Sequence, residues 1–401
     1  MRIAYVCADP GIPVFGQKGC SIHVQEVIRA LRHHGATVDL FAVRLGGSPP
    51  ADLADLTVHA LPPITKGEPA LREELALASN PSLWAALKLS GPFDLIYERY
   101  SLWSYSAMEW AQDRGIPGLL EVNAPLIEEQ AQHRQLVHRE QAEQVATWAF
   151  QAASGLIAVS QEVKFALSLW GVADKVHVIP NGVNHHRFPA TLQPAIAQAA
   201  QTFTVGFVGS LKPWHGLAHL VAAFAQLYNR VPQARLLIVG DGPQRADLVA
   251  DLQRRRLQAV TTLTGAVSPE QIPDLLAAMD VAVAPYPAST DFYFSPLKVV
   301  EYMAAGLPVV VSGRGQLLDL VADGNTGLLC PPGDEPALAT ALERLWESPQ
   351  LQQQLGQAAR RHVLAHHTWD AVAARVLAIA QRHERSPQPL SSTAPGLPIP
   401  H

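Results

Sequence analysis

The hydrophobic residues of this chain fall into short continuous runs, separated by longer segments in which they recur every three or four positions. Such runs are typical of strands buried on both faces, and the three-to-four repeat is typical of helices. Strands are predicted at 2–8, 37–43, 58–61, 93–97, 118–122, 156–159, 176–179, 204–210, 236–239, 261–264, 281–286 and 309–312. Helices are predicted at about 21–34, 69–90, 102–114, 125–151, 296–305 and 335–382. This alternation favours an α/β fold with parallel sheets covered by helices.

The same pattern occurs in both halves of the chain, which predicts two domains. A length of 401 residues is enough for two domains that each bury a core. Residues 190–201 are rich in Ala, Gln and Pro and are predicted to form a linker. We assign 1–185 to the first domain, 186–365 to the second and 366–384 to a final helix. Residues 385–401, rich in Pro and Ser, are expected to be a disordered tail.

Composition excludes several classes of protein. Hydrophobic residues make up 48% of the chain and charged residues 16%, as in globular proteins, and the net charge of −5 gives no reason to expect nucleic acid as a partner. The first apolar run ends at Asp9, too early for a signal peptide, and no run of about 18 apolar residues could span a bilayer. Cys7, Cys20 and Cys330 show no C-x-x-C spacing and are interpreted as reduced thiols. We expect a cytoplasmic protein.

The most informative stretch is A-P-Y-P-A-S-T-D-F-Y-F-S-P-L-K-V-V-E-Y-M-A-A-G-L-P-V-V-V-S, residues 284–312. It predicts a strand, a loop, a helix and a second strand, and such units place ligands at the carboxyl ends of the strands. Pro296 suits the first helical turn, whose free N–H groups could bind an anion together with Lys298. Glu301 lies little more than one turn further on, and its carboxylate could accept hydrogen bonds from sugar hydroxyls.

This stretch resembles the donor-site signature of the retaining GT-B glycosyltransferases, family 4 in particular. That signature has a Glu, seven residues and a second Glu that leads into E-x-M-A-x-G-x-P-V-V. Glu301, Met303, Gly306 and Pro308 match it, and Tyr293 stands in place of the first Glu. The resemblance covers nearly all of residues 1–382. It implies two Rossmann-like, doubly wound domains with a cleft between them, the first on the acceptor side and the second binding a nucleotide-sugar, and a final helix that crosses back to the first domain.

The resemblance also implies roles for individual residues. Glu301 would hold the nucleotide ribose, and the backbone from Ser295 to Leu297 would face the donor. Tyr293 stands where the first Glu of the family usually touches the donor sugar. The implied reaction proceeds on one face of the sugar, with retention, and the leaving phosphate helps to deprotonate the acceptor.

The segment G-F-V-G-S-L-K-P-W-H-G, residues 206–216, predicts a phosphate site. Gly209, Lys212 and His215 lie just beyond the carboxyl end of a strand, where phosphates bind in such sheets. A lone lysine in a loop is often only solvated, but Lys298 on the opposite rim favours a phosphate role for Lys212. Both lysines could stabilise the charge that grows on a leaving diphosphate. The sequence contains no acidic D-x-D motif, so we expect neither a metal nor another cofactor.

Three further loops resemble donor-contacting segments of the family. Gly16 and Gly19 lie in a glycine-containing loop that would approach the diphosphate, although its spacing equally suits a flexible surface loop. Gly240 and Gly242, in L-I-V-G-D-G-P, would let the backbone approach a ligand or the adjacent helix. Val267, in L-T-G-A-V-S, belongs to a segment whose backbone would contact the base.

The sequence predicts the residues of the acceptor side less clearly than those of the donor side. Asn123, in E-V-N-A-P-L-I-E-E-Q, stands near the position where many family members carry a histidine. It could bind donor or acceptor, or cap the following helix. Glu128, Glu129, Arg134 and Arg99 could line the acceptor side or belong to a solvated surface.

We expect a metal-independent glycosyltransferase acting on a nucleotide-sugar donor and a hydroxyl acceptor, which could be a saccharide, a lipid-linked saccharide or a small molecule. A lipid-linked acceptor would bring peripheral contact with the inner face of the membrane. Two alternatives stay open: a sugar-nucleotide epimerase of the same fold, and a protein that binds a nucleotide-sugar without turnover.

Overall fold

The computed structural model describes residues 1–65, 67–196, 201–288, 293 and 295–384. The expected tail at 385–401 and part of the expected linker lie outside the described residues. The described chain contains two parallel sheets, each with helices on both faces. The prediction of an α/β fold with two Rossmann-like domains is therefore confirmed.

The first sheet has seven strands in the order β3-β2-β1-β4-β5-β6-β7, all paired in parallel. Its strands are β1 (Arg2–Cys7), β2 (Thr37–Ala42), β3 (Thr57–Ala60), β4 (Leu95–Arg99), β5 (Gly118–Val122), β6 (Gly155–Ala158) and β7 (Val176–Val178). Its helices are α1 (Gly19–His33), α2 (Pro69–Leu77), α3 (Asn80–Ser90), α4 (Ser106–Arg114), α5 (Leu126–His133), α6 (Arg139–Ala152) and α7 (Gln161–Ser168).

The second sheet has six parallel strands in the order β10-β9-β8-β11-β12-β13. They are β8 (Phe203–Val208), β9 (Ala234–Val239), β10 (Thr261–Leu263), β11 (Val281–Ala284), β12 (Val309–Ser312) and β13 (Leu328–Cys330). The helices are α8 (Leu217–Arg230), α9 (Arg245–Arg254), α10 (Ile272–Leu276), α11 (Leu297–Ala304), α12 (Leu317–Leu320), α13 (Glu335–Glu347), α14 (Pro349–His366) and α15 (Trp369–Glu384). Both sheets reverse their strand order beside the first strand, and ligands bind outside the carboxyl ends of the strands at such a reversal.

Burial explains why the apolar runs were informative. Every residue of β8 and β12 is buried, as both faces of these central strands are covered by helices. The short strand β13 was not predicted, and its three residues are too few to give a period.

Three of the predicted helical segments are helical but are divided into shorter helices. The segment 69–90 divides into α2 and α3, where Pro81 cannot continue a helix from the preceding turn. The segment 125–151 divides into α5 and α6, because the buried Glu73 carboxylate accepts the backbone N–H groups of Val137 and His138 and holds a turn there. The segment 335–382 contains α13, α14 and α15.

The final helix α15 packs on the first domain. Trp369, Val372 and Val376 are buried in the same core cluster as the apolar face of α1. The backbone of Val183 accepts a hydrogen bond from Trp369, and its N–H donates to His367, so the chain enters α15 beside the interdomain connection. None of the described helices has the length and apolar character needed to cross a membrane.

Candidate active site

Loops from three strands of the second sheet meet at its carboxyl edge, and glycines permit the approach. Gly216 has φ +68°, and a Cβ placed there would lie 1.7 Å from the carbonyl oxygen of Pro285. A Cβ on Gly240 would lie 2.0 Å from the carbonyl oxygen of Gly209. Gly242 packs against the backbone of Leu211 in the same way. The loops after β8, β9 and β11 therefore form one surface, and the predicted residues Gly209, Gly240 and Gly242 belong to it.

Lys298 lies in the first turn of α11 and points its ammonium group at this surface. The Nζ atom lies 4.3 Å from the ring centroid of Phe207 and has no hydrogen-bond partner among the described residues, although it is buried. A Cβ on Gly209 would lie 2.8 Å from it. Burial lowers the pKa of Lys298 to about 7. A buried, uncompensated cation is costly unless an anion joins it, so the arrangement fits a site for phosphate.

Lys212 and His215 lie on the loop after β8, around a single 3-10 turn at Pro213–His215. The Nζ atom of Lys212 lies 5.6 Å from the ring centroid of Trp214. Nδ1 of His215 lies 2.5 Å from the carbonyl oxygen of Ser210, so it carries the proton of a neutral ring and donates it. Burial, with help from Lys298, lowers the pKa of His215 to about 4. His215 is therefore neutral near pH 7 and adds no positive charge to this loop.

Glu301 lies one turn beyond Lys298 and is paired with a residue that sequence reasoning missed. Its Oε1 atom accepts a hydrogen bond from Nη1 of Arg187 at 3.0 Å. Burial raises the pKa of Glu301, and the charge of Arg187 opposes this effect. Arg187 also donates to the carbonyl oxygen of Pro269. The signal available was the arginine in P-N-G-V-N-H-H-R-F, residues 180–188, which follows the last strand of the first sheet.

Tyr293 and Ser295, predicted to face the donor, make contacts with the first domain. The Tyr293 hydroxyl donates to Oε2 of Glu129 at 2.9 Å, and its carbonyl oxygen accepts from Ser160 Oγ at 2.7 Å. The Oγ atom of Ser295 accepts the backbone N–H of Asn181 at 3.1 Å. These residues therefore join the two domains at the edge of the donor surface.

The remaining residues predicted to contact the donor are Gly16, Gly19, Leu297 and Val267. The side chain of Gln25 on α1 donates to the carbonyl oxygens of Val14 and Gly16, which fixes the glycine-containing loop of the first domain. Gly19 begins α1, and space around its Cα is open. Leu297 packs against the core of the first domain, and Val267 is half-buried beside the core of the second.

Asn123 follows β5 on the opposite side of the cleft. Its Nδ2 atom is buried without a hydrogen-bond partner among the described residues. The residue at the start of α5 is Pro125, and no side chain caps that helix, so Asn123 does not serve as its cap. Leaving a buried donor unpaired costs about 1–3 kcal/mol, which favours a ligand oxygen as the missing partner.

Arg99, which could have lined the acceptor side or a solvated surface, belongs to a buried cluster. Its guanidinium group donates to Nδ1 of His23, whose Nε2 lies 2.8 Å from Oε1 of Glu121. Burial lowers the pKa of His23, so its ring is neutral and can accept at Nδ1 while it donates from Nε2. Burial opposes ionisation of Glu121, but His23 and Arg99 hold its pKa below the usual value. The cluster joins β4, β5 and α1 beneath the cleft.

Two cavities lie on the first-domain side. The larger has a volume of about 760 Å³, and it is lined by residues of α5 and α7 and by Tyr293 and Arg314 of the second domain. The smaller has about 360 Å³ and includes the side chain of Arg134. Glu129 lines both, and Glu128 lines the larger. Three of the four side chains expected on the acceptor side thus border these cavities.

Two family profiles match most of the chain. The family described as Glycosyltransferase Family 4 matches residues 18–187, and the family described as Glycosyl transferases group 1 matches residues 202–348. The glycogen synthase of Mycobacterium tuberculosis is 30% identical over 257 residues, which cover 62% of this chain and 60% of the relative. The chain thus spans about three fifths of that relative's length. The D-inositol 3-phosphate glycosyltransferase of Stackebrandtia nassauensis is 29% identical over 88% of this chain and 84% of the relative.

Two solved structures superpose on most of this chain. Sucrose-phosphate synthase from Thermosynechococcus elongatus superposes with a TM-score of 0.69 at 26% identity and covers 95% of this chain and 98% of its own. HepE from Anabaena, solved in complex with UDP-glucose, superposes with a TM-score of 0.70 at 19% identity, covers 95% of this chain and 100% of its own, and supports the fold. The two profiles, the relatives and these structures together identify the chain as a family 4-like glycosyltransferase of the GT-B fold.

Proposed function

We propose that this protein transfers a sugar from a nucleotide-diphosphate sugar to a hydroxyl acceptor, with retention of anomeric configuration and without a metal. The observation that carries the proposal is the buried ammonium group of Lys298, which has no hydrogen-bond partner among the described residues. It lies at the start of α11, directed at Gly209, with Glu301 one turn away. A diphosphate would neutralise this cation and accept the free N–H groups of the helix, and the ribose would reach Glu301.

The chemistry follows from where charge develops. As the bond between the sugar C1 and the diphosphate oxygen breaks, negative charge grows on the leaving group, and Lys298 and Lys212 stabilise it. The acceptor oxygen forms the new bond to C1 on the same face, and its proton passes to the leaving phosphate. The neutral ring of His215, held by Ser210, keeps the loop shape between these two cations without adding a third charge.

The donor pocket is tested by ligand-dependent stability. UDP, GDP and ADP, each with a matching sugar nucleotide, are compared by thermal shift; HepE, solved with UDP and with UDP-glucose, makes UDP the first choice. A ligand at 100 times its dissociation constant stabilises the fold by about 2.7 kcal/mol. If none of these nucleotides stabilises the protein, the donor site is misplaced. Retention is tested by NMR of the product anomer, and activity that EDTA abolishes and Mn²⁺ or Mg²⁺ restores would contradict the metal-free mechanism.

A nucleotide-sugar binding protein without turnover is a second candidate, favoured by one observation. The two side chains aligned with the family's donor-sugar and ribose carboxylates, Tyr293 and Glu301, are both paired with protein groups. Release of free sugar from a bound donor, or transfer to any hydroxyl acceptor, excludes this candidate.

A further inference from the structure

The larger cavity of the cleft, about 760 Å³, has the size of a small-molecule site. Its walls come from α5 and α7 of the first domain and from Tyr293 and Arg314 of the second. Val122 and Ala124, the neighbours of Asn123, also line it. Both domains therefore contribute walls to the cavity, and the loop after β5 borders it.

The lining is predominantly apolar. Its aliphatic and aromatic members include Tyr100, Ile127, Phe150, Val163, Leu167 and Trp170. The charged and amide members, Glu128, Glu129, Gln132, Glu162 and Arg314, offer partners for hydroxyl groups, so the cavity combines apolar walls with a polar part. An apolar ligand body fills such a space favourably, because each buried methylene contributes to binding.

Apolar surface continues from the cavity to solvent. Phe165 is 70% exposed and Leu169 is 76% exposed, and both line the cavity. They are four residues apart, at α7 and the residue that ends it, and so lie on one face. Single exposed hydrophobic residues need no explanation, but two that continue an apolar cavity form a path along which an elongated apolar group could lie.

Glu162 contributes to the cavity a polar atom that lacks a partner among the described residues. Oε2 of Glu162, in the first turn of α7, is buried without a hydrogen-bond partner among the described residues. Glu162 also lines the cavity. A ligand hydroxyl that donates to this oxygen would satisfy it.

We propose that this cavity binds the acceptor and that the acceptor is an amphiphile. Its apolar body, either a hydrocarbon chain or an aromatic ring system, fills the cavity, and a hydroxyl group donates to Glu162. The inference rests on the proposed transferase function and adds the chemical class of the acceptor to it. It also gives a physical reason for peripheral membrane contact, since a hydrocarbon chain would be drawn from a bilayer past Phe165 and Leu169.

The first experiment measures binding by calorimetry with methyl, hexyl and octyl β-D-glucoside below their micelle concentrations, with and without UDP. We expect the dissociation constant to fall by about threefold to fourfold for each added methylene until the cavity is filled. A naphthyl β-D-glucoside forms the second arm. Tighter binding of octyl than of naphthyl glucoside identifies a hydrocarbon chain as the body, and the reverse order identifies an aromatic one.

Variants test whether the dependence of binding on chain length arises in this cavity. Ala166→Trp fills the cavity and should remove the dependence on chain length, and Phe165→Ser should weaken octyl glucoside binding at least threefold. Leu89→Ser is the matched control, because Leu89 is 88% exposed on α3 of the same domain and does not line the cavity. Glu162→Gln should weaken methyl and octyl glucoside by the same factor, about tenfold or more. Stabilisation by UDP checks that each variant is folded.

The inference is overturned if methyl and octyl glucoside bind equally, or if Ala166→Trp leaves the chain-length dependence intact. A different result overturns the proposed function instead: no nucleotide binds and no sugar is transferred, while octyl glucoside still binds in the cavity. The two failures are therefore separable.

Discussion

At the scale of single residues, the proposed donor site contains two charged groups that differ in whether a described protein group is paired with them. Glu301 is already paired with Arg187, whereas the ammonium group of Lys298 has no partner among the described residues. In the proposed function the ribose hydroxyls would share the Glu301 carboxylate with Arg187, whereas a phosphate would bind Lys298 without competition from the described residues. We therefore expect phosphate contacts to dominate donor affinity and the ribose contact to refine it.

The first prediction separates Glu301 from Lys212 by kinetics. The ribose contact is equal in ground and transition states, so Glu301→Gln should raise the donor KM and weaken nucleoside diphosphate binding by roughly 10- to 150-fold. Lys212→Ala should lower kcat, because the charge that it meets grows during bond breakage. Glu343→Gln, which alters a surface ion pair with Arg230 in the same domain, is the control. Unchanged nucleotide affinity in Glu301→Gln would place the ribose elsewhere.

The second prediction concerns Lys298 and stability. A lysine in the unfolded chain titrates near 10.4, and burial lowers the pKa in the folded protein to about 7. Between these values the unfolded state holds a proton that the folded state lacks, so the cost of burying this group falls as pH rises from about 7 to about 10. Lys298→Met should therefore raise the melting temperature of the ligand-free protein more at pH 6.5 than at pH 9, and should abolish stabilisation by UDP. An equal gain at both pH values would show that Lys298 is not titrating as a buried group.

Residue identity alone predicted part of the proposed site. Lys298 and Glu301 could be placed from sequence because one helix, with a clear start and end, fixes their spacing. The pairing of Arg187 with Glu301 joins residues 114 positions apart, and that of Tyr293 with Glu129 joins residues 164 apart. No local pattern specifies such contacts, so these two pairings could not be predicted.

At the scale of elements, strands were predicted well because central parallel strands are apolar on both faces. Helix ends were predicted poorly where a tertiary contact decides them. The sequence between α5 and α6 suits a continuous helix, yet the chain turns there because Glu73 of α2 accepts N–H groups from Val137 and His138 at 3.1 and 2.8 Å. A carboxylate 64 residues away thus ends the helix.

The third prediction tests that turn. Glu73 is 5% exposed, and its loss leaves two backbone donors without a partner, so Glu73→Ala should lower the free energy of unfolding by about 1–3 kcal/mol. Glu74→Ala is the control: the neighbouring carboxylate is exposed, its pair with His138 lies at the surface, and the expected change is below about 0.5 kcal/mol. Urea unfolding of both variants at one pH makes the comparison. Equal losses would mean that the turn does not depend on Glu73.

At the scale of the whole molecule, the two domains are joined by hydrogen bonds at the cleft as well as by the chain. Ser160 donates to Tyr293, Asn181 donates to Ser295, and Nε2 of Gln316 donates to the carbonyl oxygen of Val159 at 2.7 Å. These contacts flank α11, the helix that carries Lys298 and Glu301. The relative position of the domains is therefore coupled to the segment that we propose binds the donor.

The last prediction asks whether Tyr293 acts across the cleft or on the donor. Its hydroxyl donates to Glu129, which lines both acceptor-side cavities. If this contact holds the acceptor side in place, Tyr293→Phe should raise the acceptor KM, roughly tenfold for a lost hydrogen bond to a charged group, and leave the dissociation constant for UDP nearly unchanged. If Tyr293 instead replaces the family's sugar-binding Glu, the same variant should raise the donor KM. Tyr228→Phe is the control, because Tyr228 packs on the core of the second domain beside Phe224. Kinetics with both substrates varied decide between the two roles, and an effect confined to the donor would show that Tyr293 contacts the sugar.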